Sequence, residues 1–423
     1  MFLFDQNQII HVQYVSLIFC STIFQIMNIQ DVIIGKFSII VISNARTNTN
    51  YTGKYNRLYK EKEKETVLLL FFGVFFKFQH VIVLFTLISI IAIVLAVLLT
   101  RTKAKKPKQA ILRWNSTGIT VAGVTGQPGN TSDKLSTPRG IDLDWSNALY
   151  IADDYNSRVQ KYSKNALVGE TVAGDSSGIT GSGAGFLSRP SDVVIDLNEN
   201  VFLSDSANQR IQLWTRGSST GTTIAGMTGI MGNSTDTFNS PYGITYDSIT
   251  HGIYVSDYFN YRIMYYPPGV LNGTVVAGGN GKGLNSNQLS AQYSSYHDAV
   301  TNSLFISQCD TNNVIQWSLG ASSWTLIAGY LNGTISNSSS GFLCARDVTL
   351  DPMGNIYVVD RSNQRVQFFP PGQRDGMTIA GITGISGVNA SLLNNPVSLI
   401  LDTQLNLYVS DTVNHRIQKF IRY

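Results

Sequence analysis

The stretch that decides the fold runs from Asn200 to Trp214 and reads NVFLSDSANQRIQLW. Two short runs of strand-forming residues flank the turn-forming segment that begins at Asp205 and contains Asn208, and Arg210 opens the second run. Five related stretches occur in the chain: ALYIADDYNSRVQKY (148–162), GIYVSDYFNYRIMYY (252–266), LFISQCDTNNVIQW (304–317), NIYVVDRSNQRVQFF (355–369) and NLYVSDTVNHRIQKF (406–420). Such recurrence predicts a repeat architecture.

The repeat has a period of 51 or 52 residues, and three markers keep it. The first is the aspartate: Asp153, Asp205, Asp257, Asp360 and Asp411, with Gln308 or Cys309 in the fourth unit. The second is the glycine of an Ala-Gly pair: Gly123, Gly174, Gly226, Gly278, Gly329 and Gly381. The third is the proline that opens four units: Pro138, Pro190, Pro241 and Pro396. Six units that agree by independent markers exclude a chance pattern.

Each unit contains four short apolar runs separated by Asn, Gly, Ser, Asp and Pro, for example 192–196, 201–204, 210–214 and 222–225. Four strands per unit, repeated six times, predict an all-β fold: a six-bladed β-propeller of four-stranded blades. The sixth unit stops after its third strand, whereas residues 119–122 form an isolated fourth-strand sequence. We expect residues 119–122 to pair with the strand at 416–421 and close the ring, because open strand edges invite aggregation.

These residues resemble the NHL repeat family over about residues 119 to 423, through the Asp-x-x-Asn-x-Arg signature followed by an apolar strand. A residue needed in every blade is expected to be structural, because a catalytic group is needed once. We expect the Asp to accept turn amides, the Asn to adopt the left-handed conformation and the Arg to reach back to the Asp. The predicted scaffold residues are Asp153, Asn156, Arg158, Asp205, Asn208, Arg210, Asp257, Asn260, Arg262, Asp360, Asn363, Arg365, Asp411, Asn414 and Arg416.

Ahead of the repeats, residues 81–99 read VIVLFTLISIIAIVLAVLL, without a charge. A helix of this length crosses a hydrocarbon core of about 30 Å, so we predict one transmembrane helix in residues 67–100 with its core at 81–99. Residues 1–66 are expected to be disordered or to derive from a wrongly chosen start site. Residues 101–110 form a basic linker, and 111–423 form the propeller.

The formal net charge of +4 combines two unlike parts. Residues 1–110 hold 13 Lys and Arg against 5 Asp and Glu, or +8, and residues 111–423 hold 18 against 22, or −4. A propeller at −4 weighs against nucleic acid as the main partner. Five basic residues lie on each side of the predicted helix (54–64 and 101–108), so charge does not set its orientation.

The fourth unit departs most from the repeat. It has an apparent insertion near Cys309 and Asp310, Val314 in place of the arginine, and no opening proline. Propeller geometry places Cys309 and Cys344 on the same face of adjacent blades, so a disulfide is reasonable and two free thiols are the alternative. A disulfide would require an oxidising compartment.

Seven Asn-x-Ser/Thr sequons lie in the propeller region, and most of them fall in loops between blades: Asn115, Asn130, Asn233, Asn272, Asn332, Asn337 and Asn389. Together with the cysteine pair, they favour an extracellular or lumenal propeller on a type II membrane anchor.

No catalytic set, metal site or cofactor site is expected. His251, His297 and His415 are the histidines of the propeller region, and we expect the first on the opposite face from the other two. The predicted function is therefore a non-enzymatic, membrane-anchored module that binds a protein, peptide or glycan through propeller loops. The alternative that the resemblance implies is a metal-dependent lyase or hydrolase of the peptidyl-hydroxyglycine lyase type, and an RNA-binding propeller ranks third.

Overall fold

The computed structural model describes Thr86, Ser89, Ile90, Ala92 and residues 112–423. The chain divides into two compact units, Met1–Gln109 and Ala110–Tyr423. The four described residues of the first unit are helical. Within the described residues, no helix combines the length and hydropathy needed to cross a membrane. Apart from those four positions, the predicted segments 1–66, 67–100 and 101–110 lie outside the described residues, so the transmembrane helix stays a prediction.

The second unit contains 24 short strands in six antiparallel sheets of four. The first strand is β1 (Ile119–Gly123). Blade 1 comprises β2 (Pro138–Leu143), β3 (Leu149–Asp153), β4 (Arg158–Tyr162) and β5 (Glu170–Gly174). Blade 2 comprises β6 (Pro190–Ile195), β7 (Val201–Asp205), β8 (Arg210–Trp214) and β9 (Thr222–Gly226). Blade 3 comprises β10 (Pro241–Tyr246), β11 (Ile253–Asp257), β12 (Arg262–Tyr266) and β13 (Thr274–Gly278).

The remaining blades repeat this order. Blade 4 comprises β14 (Gln292–Asp298), β15 (Ser303–Gln308), β16 (Asn313–Ser318) and β17 (Thr325–Gly329). Blade 5 comprises β18 (Ala345–Leu350), β19 (Ile356–Asp360), β20 (Arg365–Phe369) and β21 (Met377–Gly381). Blade 6 comprises β22 (Leu399–Leu401), β23 (Leu407–Asp411) and β24 (Arg416–Phe420), with β1 as its fourth strand. The predicted all-β fold of six four-stranded blades is confirmed.

The ring is closed by pairing between the two ends of the propeller. In an antiparallel ladder, β1 faces β24, with Ile119 opposite Lys419 and Gly123 opposite Arg416. A further bridge joins Trp114 to Arg422. The strand that lacks a unit of its own therefore covers the edge that the sixth unit would otherwise expose.

The apolar core lies between neighbouring blades. Each of the six buried clusters draws side chains from two adjacent blades, as where Tyr150 and Ala152 of blade 1 pack with Val193 and Leu203 of blade 2. The second strands of all six blades are buried at every position, which explains their apolar composition. Blade-to-blade packing thus fixes the inner strands that line the centre of the ring.

Blade 4 follows the same spacing as the others, and two sequence-based expectations about it are wrong. Gln308 pairs with Asn313 as Asp205 pairs with Arg210, so the turn contains no insertion. The residue in the arginine position is Asn313, since Val314 lies one place further along the strand. The opening proline is replaced by Gln292, which pairs with Gln308 as Pro190 pairs with Asp205.

Candidate functional site

The turns between second and third strands and the loops between blades lie on one side of the ring, here called the signature face. In five blades this turn is one turn of 3-10 helix, at Asp154–Asn156, Ser206–Asn208, Tyr258–Asn260, Arg361–Asn363 and Thr412–Asn414. The turns between first and second strands lie on the other side, here called the opposite face.

The signature side chains form one buried network in each of these five blades. In blade 2, Arg210 Nε donates to Asp205 Oδ2 at 2.8 Å, and Asn208 Nδ2 donates to the same oxygen at 2.8 Å. Asp205 Oδ1 accepts from the Ser188 amide, which lies in the loop before the blade rather than in the turn. The left-handed residue is Gln209, with φ of 59°, and not Asn208 as expected. The network therefore links the turn to the preceding interblade loop.

Burial raises the pKa values of the signature aspartates, although their hydrogen bonds act in the opposite direction. Asp153 and Asp360 have pKa values raised to about 6, chiefly by burial, while their Asn and Arg partners lower them. The pKa values of Asp205, Asp257 and Asp411 are raised for the same reason. Each carboxyl sits in an ion pair with its own arginine, at 2.7 to 2.9 Å.

Blade 4 has no such ion pair. Gln308 Nε2 donates to Asn313 Oδ1 at 3.0 Å, and Gln308 Oε1 accepts from the Ser290 amide at 2.7 Å. Next to this pair, Cys309 forms the predicted disulfide with Cys344, which lies just before β18 of blade 5. The blade that lacks the arginine is thus linked covalently to the next blade.

All seven sequon asparagines are exposed. Asn130, Asn233, Asn332, Asn337 and Asn389 lie in interblade loops on the signature face, whereas Asn115 precedes β1 and Asn272 lies between third and fourth strands. Their glycosylation stays a prediction.

The histidines are placed differently from the expectation. His297 lies near the end of β14 on the opposite face, with Nδ1 3.8 Å from Asp247 Oδ1. His251 lies with Asp247 in the turn between β10 and β11, which is also on the opposite face. His415 is the one on the signature face, where its Nδ1 accepts from the Thr137 amide at 3.1 Å. The error arose because β14 begins at Gln292, five residues ahead of His297. Among the described residues, no group of three or more His, Cys, Asp or Glu could hold a metal ion.

The inner strands enclose a central channel with a cavity of about 260 Å³. Three aspartates in its wall each accept two backbone amides, one of them from the next blade. Asp192, for example, accepts from Val193 and from Ile244 of blade 3. Burial raises the pKa of Asp142 to about 7 and raises those of Asp192 and Asp347 as well. These carboxyls tie neighbouring blades together.

Two positions in each blade lie at the end of the channel on the signature face: the residue after the opening proline or its equivalent, and the residue after the signature Asp or its equivalent. The twelve residues, in pairs from blade 1 to blade 6, are Arg139 and Asp154, Ser191 and Ser206, Tyr242 and Tyr258, Tyr293 and Cys309, Arg346 and Arg361, and Val397 and Thr412. No two blades supply the same pair, although the surrounding scaffold repeats. We call these twelve residues the mouth ring.

Aromatic side chains cover the mouth ring at blades 3 and 4. The rings of Tyr242, Tyr258 and Tyr293 contact one another, with centroids 4.6 to 5.2 Å apart. Tyr293 donates from its hydroxyl to that of Tyr258 at 3.0 Å. Phe259, half exposed, packs against Tyr258 at 4.7 Å. Such a platform presents aromatic surface together with hydroxyl groups.

Arg346 lies over this platform. Its guanidinium carbon is 3.3 Å from the Tyr293 ring centroid and 5.9 Å from that of Tyr242, and the residue is only 8% exposed. Burial, together with the nearby charges of Arg139 and Arg361, lowers the pKa of Arg346 to about 10. No described carboxylate lies within ion-pair distance of it, whereas Asp154 pairs with both Arg139 and Arg189.

A larger cavity, of about 550 Å³, lies on the opposite face between blades 2 and 3. Its titratable groups already have partners: the Tyr246 hydroxyl and His251 Nδ1 are 2.7 Å apart, Asp196 accepts amides of its own turn, and the Tyr266 hydroxyl donates to a carbonyl. Unsatisfied charge therefore favours the mouth ring as the candidate site.

Sequence reasoning missed the mouth ring because it concentrated on the residues that repeat. When the six units are aligned with one another, the residue types after the opening proline and after the signature aspartate differ from blade to blade. Residues held by the scaffold and free to vary are where a binding site is expected.

Comparison with known proteins supports the repeat. The NHL repeat family matches residues 135–162, 342–369 and 393–420. No curated protein sequence matches the chain. Among solved structures, a protein of unknown function from Bacteroides thetaiotaomicron has a TM-score of 0.57 at 15% identity, covering 73% of this chain and 76% of its own.

Two structures described as auxiliary nutrient binding proteins are also similar. That from Bacteroides thetaiotaomicron has a TM-score of 0.55 at 14% identity and covers 75% of this chain and 79% of its own. That from Bacteroides ovatus has a TM-score of 0.54 at 13% identity and covers 74% and 77%. At these identities the likeness is one of fold. Residues 112–423 form a six-bladed β-propeller in which three segments match the NHL repeat.

Proposed function

We propose that this protein is a non-enzymatic binding module, anchored to a membrane by the helix predicted at 81–99, that takes a protein, peptide or glycan ligand at the mouth ring. The observation that carries the proposal is the contrast between a scaffold repeated in every blade and a mouth ring whose chemistry differs in every blade. A catalytic role would need convergent acid, base or metal-binding groups. The mouth ring instead combines tyrosines in mutual contact with arginines, a composition common at recognition sites.

The similar structures agree with a binding role, since two of them are described as nutrient-binding proteins. The proposed compartment is extracellular or lumenal, with a type II anchor. A disulfide between Cys309 and Cys344 persists in oxidising compartments, and seven exposed sequons are available for glycosylation. Digestion of the full-length protein with peptide-N-glycosidase tests this: a gain in gel mobility is expected, and an unchanged mobility contradicts the orientation.

Photo-crosslinking of the full chain in cells tests the binding site. A benzophenone amino acid replaces Phe259, which is 49% exposed beside the mouth ring, or Trp145, which is 73% exposed in a turn on the opposite face. We expect a covalent adduct at position 259 and none at position 145. Adducts at 145 alone, or at neither position, would contradict a ligand site at the mouth ring.

A further inference from the structure

Arg346 is a buried cation without a counter-ion among the described residues. It is 8% exposed and lines the central channel, and the charges of Arg139 and Arg361 act on its guanidinium. Burying a charge without a partner is unfavourable, so such a residue is expected where a ligand supplies the opposite charge. The Nε of Arg361, in the same blade, is also buried and has no hydrogen-bond partner.

The acidic groups nearby are already engaged. Asp154 of blade 1 pairs with Arg139 and Arg189. Asp347, next in sequence to Arg346, accepts the amides of Val348 and Leu399. The local excess of positive charge is therefore left for a ligand to neutralise.

The position of Arg346 also suits an anion. Tyr293 holds the guanidinium, whose carbon is 3.3 Å from the ring centroid, and no described carboxylate forms an ion pair with its N–H groups. A planar fork of this kind pairs with carboxylate or phosphate through two parallel hydrogen bonds. The position of the strand that carries Arg346 is fixed at its start by the disulfide at Cys344.

We propose that Arg346 and Arg361 bind the oxyanion, carboxylate or phosphate, of a small ligand whose remaining part lies against the tyrosines of the mouth ring. This inference rests on the proposed function and names the chemistry of the ligand. It makes glucuronate and inorganic phosphate suitable probes, and glucose the uncharged match for glucuronate.

Thermal unfolding of residues 112–423, which contain all six blades and the closing strand, tests the proposal. Each probe is added at equal ionic strength against sodium chloride. We expect glucuronate, phosphate or both to raise the midpoint by roughly 2 to 4 °C at saturation, and glucose to have no effect. The anion that acts identifies the oxyanion. If neither anion stabilises the protein more than chloride does, the proposal fails.

Two variants make the assignment specific. Arg346→Met should abolish the anion effect, whereas Arg374→Met, at an exposed position between β20 and β21 on the opposite face, should keep it. Without anion, Arg346→Met should unfold at the same temperature as the wild type or higher, because an unpaired buried charge has been removed. An undiminished anion shift in Arg346→Met would overturn the proposal. Equal stabilisation by glucose and glucuronate would also overturn it, while leaving a neutral ligand at the mouth ring consistent with the proposed function.

Discussion

Blade 4 and the other five blades stabilise the turn between their second and third strands with different chemistry. In five blades a buried Asp–Arg pair holds the signature turn, and the arginine also donates to carbonyls of the preceding loop, as Arg210 does to Gly183 and Phe186. Blade 4 has the neutral pair Gln308 and Asn313, and a disulfide joins its turn to blade 5. The ionic link acts between a turn and the loop before it, whereas the covalent link acts between blade 4 and the blade after it.

The difference coincides with the candidate site. Tyr293 belongs to blade 4 and Arg346 to blade 5, and Cys344 lies two residues before Arg346. The Ser307 hydroxyl of blade 4 donates to the Arg346 carbonyl at 3.0 Å. Departures from a repeat are expected where function has replaced structural uniformity. The boundary between blades 4 and 5 is thus both the irregular part of the ring and the part with unsatisfied charge.

The largest effect is expected from removing a signature arginine. Arg210→Met leaves Asp205 buried without its partner and should lower the free energy of unfolding by about 3 to 5 kcal/mol. Asn313→Ala, at the matching position of blade 4, should cost only about 1 to 2 kcal/mol because neutral hydrogen bonds are lost. Urea denaturation of residues 112–423 measures both. Equal losses would mean that blade 4 does not differ energetically from the others.

Removing the disulfide should come next in size. Cys309→Ser with Cys344→Ser opens a link between residues separated by 35 positions and should cost about 2 to 4 kcal/mol. Reductant should destabilise the wild type by a similar amount and leave the double variant unchanged. A wild type that is insensitive to reductant would show that the covalent link adds nothing to the stability of blade 4.

A graft of the signature into blade 4 tests whether the two solutions are interchangeable. In the Cys309→Ser, Cys344→Ser variant, adding Gln308→Asp and Asn313→Arg rebuilds the ion pair of the other blades. We expect it to recover about 1 to 2 kcal/mol of the lost unfolding free energy, because the new arginine can reach the preceding loop. Asn313→Arg alone is the matched control and should be destabilising, since its charge is buried without a partner. A graft no more stable than that control would contradict interchangeability.

The smallest effect concerns pH. The pKa values of Asp153 and Asp360 are raised to about 6 in the folded protein from an ordinary value of 3.8, so the folded state binds these protons more tightly than the unfolded chain. Their contribution therefore favours folding at low pH and is lost as the pH rises from about 4 to about 6. The signature position of blade 4 does not contribute to this pH dependence of the unfolding free energy, because Gln308 does not titrate.

Gln308→Asp should steepen the slope by up to about 1.4 kcal/mol per pH unit in that window. Unfolding free energies of the wild type and Gln308→Asp at pH 4, 5, 6 and 7 measure it. Parallel curves for the two proteins would contradict a raised pKa at this position.

The scaffold could be predicted from sequence because it repeats. The period gave the blade count, and the polar residues between apolar runs placed the strands. The disulfide was expected because propeller geometry places Cys309 and Cys344 on the same face of adjacent blades. The mouth ring was missed because its positions do not repeat, and the contact between Tyr293 and Arg346 arises only when inner strands converge on the channel. His297 was misplaced because blade 4 lacks the proline that opens four of the other blades.

A crystal structure of residues 112–423 soaked with glucuronate, and a second one soaked with phosphate, would test most directly that the blade 4 and blade 5 boundary is a ligand site. The account predicts an oxyanion about 3 Å from the guanidinium nitrogens of Arg346, beside the face of Tyr293. An anion bound only elsewhere on the propeller, with the mouth ring empty at saturating concentration, would contradict it.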